Sequence, residues 1–270
     1  MKSEKEFLAE YNIEDYDRPS VTADIVAFMI RTEDEENFRK EPQGKLSVLL
    51  VRRGEHPFLG SWALPGGFLR MDETVEECAL REVVEETSVA PASIVPIGVF
   101  SEVDRDPRGR IISNAFACII SEGAAKAVGG DDAAEACWFD VSFEQGDDGK
   151  YRLGLSGDGA EFCAVLEEVR GKYTKAGFRV ADSGELAFDH AKIIATALTV
   201  LRNDAKNFES IFDFLPEKFT LTALQRVQET IMNISVLPAN FRRKIADFVI
   251  ETDEYTAGAG HRPAKLYRRK

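Results

Sequence analysis

The sequence predicts an α/β domain, followed by a small winged helix-turn-helix domain. Strand-like segments alternate with helical ones up to about residue 202, and the remainder has the pattern helix, helix, hairpin. Charge divides at the same place: residues 205–270 hold 11 Lys and Arg against 8 Asp and Glu, a net of +3, so the total of −13 leaves −16 for the rest. We therefore expect domains at 1–203 and 204–270.

Composition is typical of a globular protein in a reducing compartment. The 270 residues are 44% hydrophobic, enough for a core, and the net charge of −13 argues against general nucleic-acid binding by the whole molecule. Cys78, Cys118, Cys137 and Cys163 form no CxxC pair, and their apolar or helical neighbours predict buried free thiols. The charged N-terminus lacks a signal core, and no apolar run approaches the roughly 18 residues of a membrane span. We expect a cytoplasmic protein with no membrane partner.

β-Strands dominate the first part of the chain. Their signature is a run of β-branched and aromatic residues bounded by polar or turn-forming residues. We predict strands at Val21–Ile30, Lys45–Arg53, Ile94–Val103, Arg110–Ile120 and Ala136–Asp140. An extra hairpin within 141–183 turns on the letters SGDG; its role is open, and a dimer interface is one interpretation.

Two helices are predicted in the same part. A sharp turn at Pro65-Gly66-Gly67 precedes a helix from about Glu73 to Ser88, with Asp72 and Thr74 as candidate N-caps. A longer amphipathic helix is predicted over Leu186 to Arg202.

Glutamates crowd the first of these helices. At about 100° per residue, one sector, the predicted packing face, holds Leu80, Val83 and Val84. The opposite sector holds Glu82, Glu85 and Glu86. Repulsion among these carboxylates disfavours the helix by about 0.2–0.5 kcal/mol per pair. A solvated acidic face tolerates this cost, whereas a hard divalent cation such as Mg²⁺ offsets it through oxygen ligands.

The spacing of these residues is more specific than an acidic face requires. It resembles the signature of the Nudix hydrolases, Gly-x5-Glu-x7-Arg-Glu-U-x-Glu-Glu-x-Gly-U, in which U is a bulky aliphatic residue. The matching residues are Gly67, Glu73, Arg81, Glu82, Val83, Glu85, Glu86 and Val89. Ser88 departs from the pattern, since the family has glycine there, but it removes no ligand. The resemblance implies the Nudix fold, an α/β/α sandwich with a mixed sheet.

The resemblance also implies roles for individual residues. Glu82 and Glu86 would be metal ligands, and Glu85 a ligand or a water-positioning base. Arg81 would orient the glutamates, with Glu73 holding Arg81. The metal would be Mg²⁺, with Mn²⁺ as an alternative, and it would neutralise the diphosphate and activate water. Backbone groups at Gly66 could approach the metal because glycine has no Cβ.

Flanking segments resemble the branch of the family that acts on ADP-ribose or a similar nucleoside diphosphate derivative. Arg53 lies shortly before the glycine turn, where it could reach a phosphate. Arg108 and Arg110, with Asp106 between strands, suit a diphosphate or a terminal ribose because guanidinium forks match phosphate oxygens. Phe100 could stack on adenine. An ordinary polar hairpin is the alternative for the loop residues.

Three further ring residues are interpreted as structural. Trp62 and Trp138 lie in strand-like apolar contexts and are predicted to be core residues. His190 begins a helix on an apolar background, which is more typical of a hydrogen-bonded structural histidine than of a catalytic one.

The second part of the chain reads as a winged helix-turn-helix. Its first helix carries Leu221, Leu224, Val227 and Ile231 at helical spacing. The second carries an apolar stripe of Phe241, Ile245, Phe248 and Val249. The candidate DNA contacts are Asn240, Arg242, Arg243 and Lys244 on the second helix and Arg262 and Lys265 on the following basic hairpin.

This segment resembles the C-terminal domain of the Nudix-related transcriptional regulators of NAD metabolism, the NrtR family, through the stretches LPEKFTLTALQ, NFRRK and RPAKLY. That resemblance implies a homodimer that binds operator DNA and senses a nucleotide such as ADP-ribose. The leading interpretation is a metal-dependent hydrolase fused to a DNA-binding domain that regulates NAD or sugar metabolism genes. A non-catalytic, ADP-ribose-sensing repressor is the alternative; an enzyme whose winged helix only dimerises is a weaker one.

Overall fold

The computed structural model describes residues 2–32, 44–87, 90–91, 93–121, 136–170, 176–256 and 263–270. The strands are β1 (Ser20–Thr32), β2 (Gly44–Arg52), β3 (Trp62–Ala63), β4 (Gly66–Phe68), β5 (Val95–Phe100), β6 (Ile111–Ile119), β7 (Ala136–Gln145), β8 (Tyr151–Gly157), β9 (Ala160–Arg170), β10 (Ala176–Asp182), β11 (Val249–Tyr255) and β12 (Lys265–Arg269). The α-helices are α1 (Glu4–Glu10), α2 (Val75–Thr87), α3 (His190–Lys206), α4 (Leu221–Met232) and α5 (Pro238–Ile245).

One mixed sheet organises the first domain. Its strand order is β10-β9-β8-β7-β2-β1-β6-β5, with β3 paired to β2 and β4 paired to β1. β1 and β6 run parallel, whereas the other neighbouring strands of this sheet are antiparallel. The predicted α/β class with a mixed sheet is confirmed.

The alternation of side chains along β1 explains why a helix covers each face of the sheet. Ala23, Ile25 and Ala27 point to one face, where they pack with Cys78, Ala79 and Val83 of α2. Val26 and Phe28 point to the other face, which α3 covers with residues such as Ile193, Ile194 and Leu198. The α/β/α sandwich implied by the resemblance is therefore present.

The extra hairpin lengthens the sheet rather than standing apart from it. β8 and β9 meet at a two-residue turn, Asp158-Gly159, whose φ angles are 50° and 70°. Positive φ at both positions suits the right-handed twist of a hairpin, and glycine and aspartate tolerate it. β7 to β10 form this sheet extension, and the suggestion that it is a dimer interface stays a prediction.

The winged helix-turn-helix is present, with one correction. α4 begins at the N-cap Thr220, whose side chain accepts a hydrogen bond from the Ala223 N–H, and β11 and β12 form the wing. α5 ends at Ile245, so the prediction that its apolar stripe continues along the helix to Phe248 and Val249 is wrong. Val249 is buried as the first residue of β11, and Phe248 is 40% exposed in the turn before it.

α3 belongs to both parts of the molecule. The boundary predicted between 203 and 204 falls inside this helix. Near its end, the Gln228 side chain of α4 donates to the carbonyl of Ala205 at 2.9 Å. The Arg202 guanidinium donates to the carbonyls of Phe143 in β7 and Ile231 in α4, at 2.9 and 3.2 Å. One hydrophobic core thus runs from the sheet through α3 into the winged helix.

The predictions for the cysteines and for the tryptophans have different outcomes. The four cysteines are free, but only Cys78 and Cys118 are buried, while Cys163 is exposed, so the prediction of burial is wrong there. Trp62 is buried as predicted, and Trp138 packs against the core on the α2 side.

Among the described helices, none combines the length and apolar character that crossing a bilayer requires.

Candidate functional site

The glycine turn and α2 together form the centre of the site. Thr74 and Glu77 begin the helix with a reciprocal capping box: the Thr74 N–H donates to Glu77 at 2.8 Å, and the Glu77 N–H donates to the Thr74 hydroxyl at 3.2 Å. The expected cap at Thr74 is confirmed, and it sets the position at which the glutamates of the helix meet the turn.

The rotational position of α2 differs from the prediction. Its buried face consists of Cys78, Ala79 and Val83, whereas Leu80 is only partly buried and Val84 is 42% exposed. Glu82 and Glu86 lie one turn apart on the side of this buried face, so they are not opposite the packing surface as expected. The small residues Cys78 and Ala79 allow α2 to approach the sheet closely, which a stripe of larger aliphatic residues would prevent.

Close packing at the turn brings Glu82 and Glu86 against its backbone. The Gly66 N–H donates to Glu86 Oε2 at 3.1 Å. A Cβ at Gly67 would overlap the carboxylate of Glu82, and one at Gly66 would lie 2.6 Å from Asp24 Oδ1. Gly66 requires glycine because a Cβ there would lie 2.4 Å from the backbone oxygen of Ala23, whereas a Cβ at Gly67 would displace the Glu82 carboxylate, the end of a flexible side chain.

Arg81 ties the glutamates of the motif together. Its guanidinium contacts Glu73 at 2.6 and 2.9 Å, Glu82 at 2.6 Å and Glu85 at 3.1 Å. Arg81 and Glu82 are mostly shielded, whereas the side chain of Glu85 is 51% exposed. Hydrogen bonds from Arg81 lower the pKa of Glu73 to about 2. Arg81 is thus held by Glu73 on one side and orients Glu82 and Glu85 on the other.

Glu86 is a buried carboxylate whose pKa is strongly raised. Burial raises its pKa to about 7, opposed by the hydrogen bond from the Gly66 N–H, and the negative charges of Glu82 and Asp24 raise it further. A carboxylate that is buried near two others is poorly stabilised as an anion without a nearby cation.

The donor set fits a hard divalent cation, although it is not drawn together as a complete cage. Within the described ranges, no three Asp, Glu, His or Cys side chains converge closely enough to hold a metal. Glu82 and Glu86, one helical turn apart beside the glycine turn, are the residues that would hold Mg²⁺, with Glu85 at the exposed edge. Bound there, the ion would supply charge neutralisation and an acidified water.

A buried polar network lies beneath the glycine turn. The His190 Nδ1 accepts from the Leu64 N–H at 2.8 Å. Asp24 accepts from the Ser113 hydroxyl and lies 3.6 Å from Arg105, which makes two hydrogen bonds of 2.7 and 3.1 Å to Asp189. Burial lowers the pKa of His190, which favours the neutral ring that such an acceptor requires. His190 is thus a hydrogen-bonded structural histidine, as the sequence indicated, and it anchors the residue before Pro65.

The predicted substrate-binding arginines occupy different environments. Arg53 donates through Nε to the carbonyl of Pro57 at 2.7 Å, and its guanidinium lies over the ring of Phe188. Arg108 also lies over that ring and is held by the buried Asp106 at 2.8 and 3.0 Å. Arg110 donates to the carbonyls of Ser101 and Glu102, so it braces its own loop.

Phe100 does not suit its expected role. Its ring is 5% exposed and belongs to the core on the α3 side, with the ammonium of Lys192 at 5.6 Å from its centroid. The β5 alternation turns this residue inward, so stacking of a base on Phe100 is contradicted by its burial.

The basic surface of the winged helix lies on α5. Asn240, Arg242, Arg243 and Lys244 are all exposed there, while Phe241 and Ile245 anchor the helix. Lys265 is instead engaged inside the wing, 3.4 Å from Glu251 and over the ring of Tyr255. Arg262, like Ser88 and Val89, lies outside the described residues.

Sequence reasoning missed the residues that surround the turn from distant segments: Asp24, Arg105, Phe188 and Asp189. The Arg105–Asp189 pair joins residues 84 positions apart, and nothing in local spacing predicts it. The letters AFDH, which end at the first residue of α3, are the available signal, since Phe188, Asp189 and His190 contact Arg53, Arg105 and Leu64 around the turn.

Comparison with known proteins agrees with this geometry. Residues 29–150 match the NUDIX domain, and residues 211–269 match the NrtR DNA-binding winged helix domain. The "ADPR responsive transcriptional repressor NtrR" of Acinetobacter baylyi is 28% identical over 98% of this chain and 88% of its own length. The "ADP-ribose pyrophosphatase" of Methanocaldococcus jannaschii is 48% identical over 35% of this chain and 55% of its own length.

A solved structure extends the likeness across both domains. The Shewanella oneidensis NrtR complexed with a 27mer DNA superposes with a TM-score of 0.59 at 28% identity, and the match covers 93% of each chain. Both halves of the fold, in the same order, are shared. The chain therefore carries a Nudix domain followed by an NrtR-type winged helix domain.

Proposed function

We propose that the chain is a Mg²⁺-dependent hydrolase of ADP-ribose or a similar nucleoside diphosphate derivative, and that its winged helix binds operator DNA upstream of NAD or sugar metabolism genes. The observation that carries the catalytic part is the retained set of four glutamates and one arginine around the glycine turn. Arg81 links Glu73, Glu82 and Glu85, and Glu86 sits against Gly66. The name of the archaeal relative supports ADP-ribose as the substrate class.

Each residue has a proposed role in this reaction. Glu82 and Glu86 would hold the metal, which would supply charge neutralisation for the diphosphate, and Glu85, the most exposed of the three, would position the attacking water. Arg53 and Arg108 receive phosphate oxygens. Arg81 keeps the glutamates oriented, and the glycine turn lets the phosphate approach the backbone.

The DNA-binding part rests on the exposed basic face of α5. Asn240, Arg242, Arg243 and Lys244 lie on a helix whose neighbours form a winged helix-turn-helix, and the matched regulators carry names that refer to repression or to a DNA complex. In this arrangement α5 enters the major groove and the wing, with Lys265 and Arg262, lies along phosphates. We propose a cytoplasmic homodimer that binds two half-sites.

The test of the enzymatic part is release of AMP from ADP-ribose with Mg²⁺ or Mn²⁺, compared between the wild type and Glu85→Gln. Glu76→Gln, on an exposed part of the same helix, is the matched control. We expect AMP release by the wild type and the control and a large loss in Glu85→Gln. Binding of ADP-ribose without any release of AMP would contradict hydrolysis.

A second function is favoured by one specific observation, the repressor name of the relative that spans nearly the whole chain. In that case the Nudix domain senses ADP-ribose and does not need to cleave it. Gel shifts with DNA from upstream of the gene itself separate the two: Glu85→Gln would still release DNA on addition of ADP-ribose. Absence of any sequence-specific shift would instead favour a winged helix that only dimerises.

A further inference from the structure

Phe188 occupies an unusual position just before α3. The guanidinium carbons of Arg53 and Arg108 lie 4.9 and 5.5 Å from the centroid of its ring. Arg108 also lies 5.0 Å from the centroid of Phe68. One aromatic ring therefore holds two cations from different segments, at distances typical of cation–π attraction.

Holding the two guanidinium groups on one ring concentrates positive charge. Arg108 is paired with Asp106, but Arg53 forms no ion pair with any carboxylate that the structure describes; its Nε donates to a carbonyl. Burial, followed by the positive charge of Arg108, lowers the pKa of Arg53. An aromatic face attracts a guanidinium without neutralising it, whereas a carboxylate in its place would compete with any incoming anion.

The backbone at this point is held in a strained conformation. Phe188 has φ of 52°, in the left-handed region that bulky residues avoid. Its neighbours fix it there: Asp189 binds Arg105, and His190 accepts from the Leu64 N–H. The ring also packs edge-on against Phe58, with centroids 4.8 Å apart. Strain of this kind persists where the surrounding structure imposes it, and it clusters at functional sites.

We propose that Phe188 is a positioning residue: its ring holds Arg53 and Arg108 side by side as a clamp for the phosphate groups of a nucleoside diphosphate. The proposal rests on the proposed function for the choice of ligand, but it concerns phosphate binding and not hydrolysis. None of the fixed positions of the Nudix signature takes part in the clamp, which is built from Arg53 just after β2, the β5–β6 loop and the segment before α3.

The test measures binding of inorganic pyrophosphate by calorimetry, with chelator present so that no metal contributes. Three variants distinguish the effect of the aromatic ring from that of the backbone conformation. Phe188→Leu removes the aromatic face, Phe188→Tyr keeps it, and Phe188→Gly removes it while relieving the strain of the left-handed backbone. We expect Phe188→Leu and Phe188→Gly to weaken binding by about 5- to 30-fold, and Phe188→Tyr to bind within about twofold of the wild type.

The matched control is Phe178→Leu, an aromatic residue of the sheet extension that packs on Phe143 and Tyr151 and not on any arginine of the site. Its pyrophosphate affinity should be unchanged. Thermal unfolding of every variant shows whether a weaker binder is simply less folded; Phe188→Gly should unfold at or above the temperature of Phe188→Leu, because glycine adopts positive φ freely.

Three outcomes would overturn the clamp. They are wild-type affinity in Phe188→Leu, equal weakening in Phe188→Tyr, or no pyrophosphate binding by the wild type at millimolar concentration. Failure of the proposed hydrolysis is a different result. If the protein releases no AMP from ADP-ribose but the Phe188 variants keep the expected order of pyrophosphate affinity, only the hydrolase activity is refuted and the clamp stands.

Discussion

The acidic side chains of helix α2 and the basic side chains of helix α5 differ in their exposure and in the contacts that they make. On α2 the carboxylates of the motif are already bound: Arg81 contacts Glu82 and Glu85, and Glu86 accepts a hydrogen bond from a backbone N–H. On α5 the side chains of Arg242, Arg243 and Lys244 are exposed, and within the described residues none of them forms an ion pair.

Because of this difference, we expect the two helices to bind their ligands through different physical effects. A prearranged, partly buried site depends on the position of single atoms, so one substitution should have a large effect that salt changes little. Exposed cations instead bind a phosphate backbone by releasing counterions, so each one contributes modestly and the total depends strongly on salt.

Glu86→Gln should have the largest effect. The substitution keeps the shape of the side chain but removes the charge that would hold the metal beside Gly66. We expect kcat/KM for ADP-ribose to fall by about 10²–10³-fold, with little dependence on salt. Direct Mn²⁺ binding measured by electron paramagnetic resonance should weaken in parallel. Unchanged Mn²⁺ affinity would show that Glu86 is not a ligand.

Replacing both Arg242 and Arg243 by Ala should weaken binding to operator DNA and reduce the slope of log K against log salt by about 2, since each lost phosphate contact removes about 0.9. Fluorescence anisotropy at several salt concentrations measures this. Hydrolysis should be unaffected because α5 makes none of the site contacts. An unchanged slope would mean that this face of α5 does not lie on phosphates, and the contrast with α2 would fail.

Variants of His190 test whether the geometry of the site beside α2 depends on the buried polar network beneath the glycine turn. His190→Phe leaves the buried Leu64 N–H without an acceptor, which should cost about 1–3 kcal/mol of the free energy of unfolding. His190→Asn keeps an acceptor near the position of Nδ1 and should recover most of that loss. Urea unfolding of the two variants measures the difference, and equal stability would show that this hydrogen bond is not what anchors the turn.

The smallest effect is expected for Arg152→Ala. Arg152 pairs with Asp148 at 2.8 Å on the surface of the sheet extension, where both side chains are nearly half exposed. Exposed ion pairs contribute little because water screens them. We expect no resolvable change in unfolding, hydrolysis or DNA binding. A clear loss of dimer in size-exclusion chromatography would instead support the sheet extension as the dimer interface.

Local regularities account for what could be predicted from the sequence. The 3.6-residue period and the Gly67-to-Val89 spacing identified α2, its cap and its glutamates, because these depend on residues within one or two helical turns. Runs of β-branched and aromatic residues identified the strands, and the helix–helix–hairpin order with its charge asymmetry identified the second domain. All of these signals lie within a few residues of one another along the chain.

Only the tertiary structure decided which side of α2 faces the sheet, because close approach selected Cys78, Ala79 and Val83 over the larger Leu80 and Val84. It also buried Phe100 and brought Arg105 to Asp189 and Arg53 to Phe188. Such contacts join segments that are dozens of residues apart, and packing decides them rather than spacing. The sequence alone determined which chemical groups the site contains, and the fold determined which of them meet.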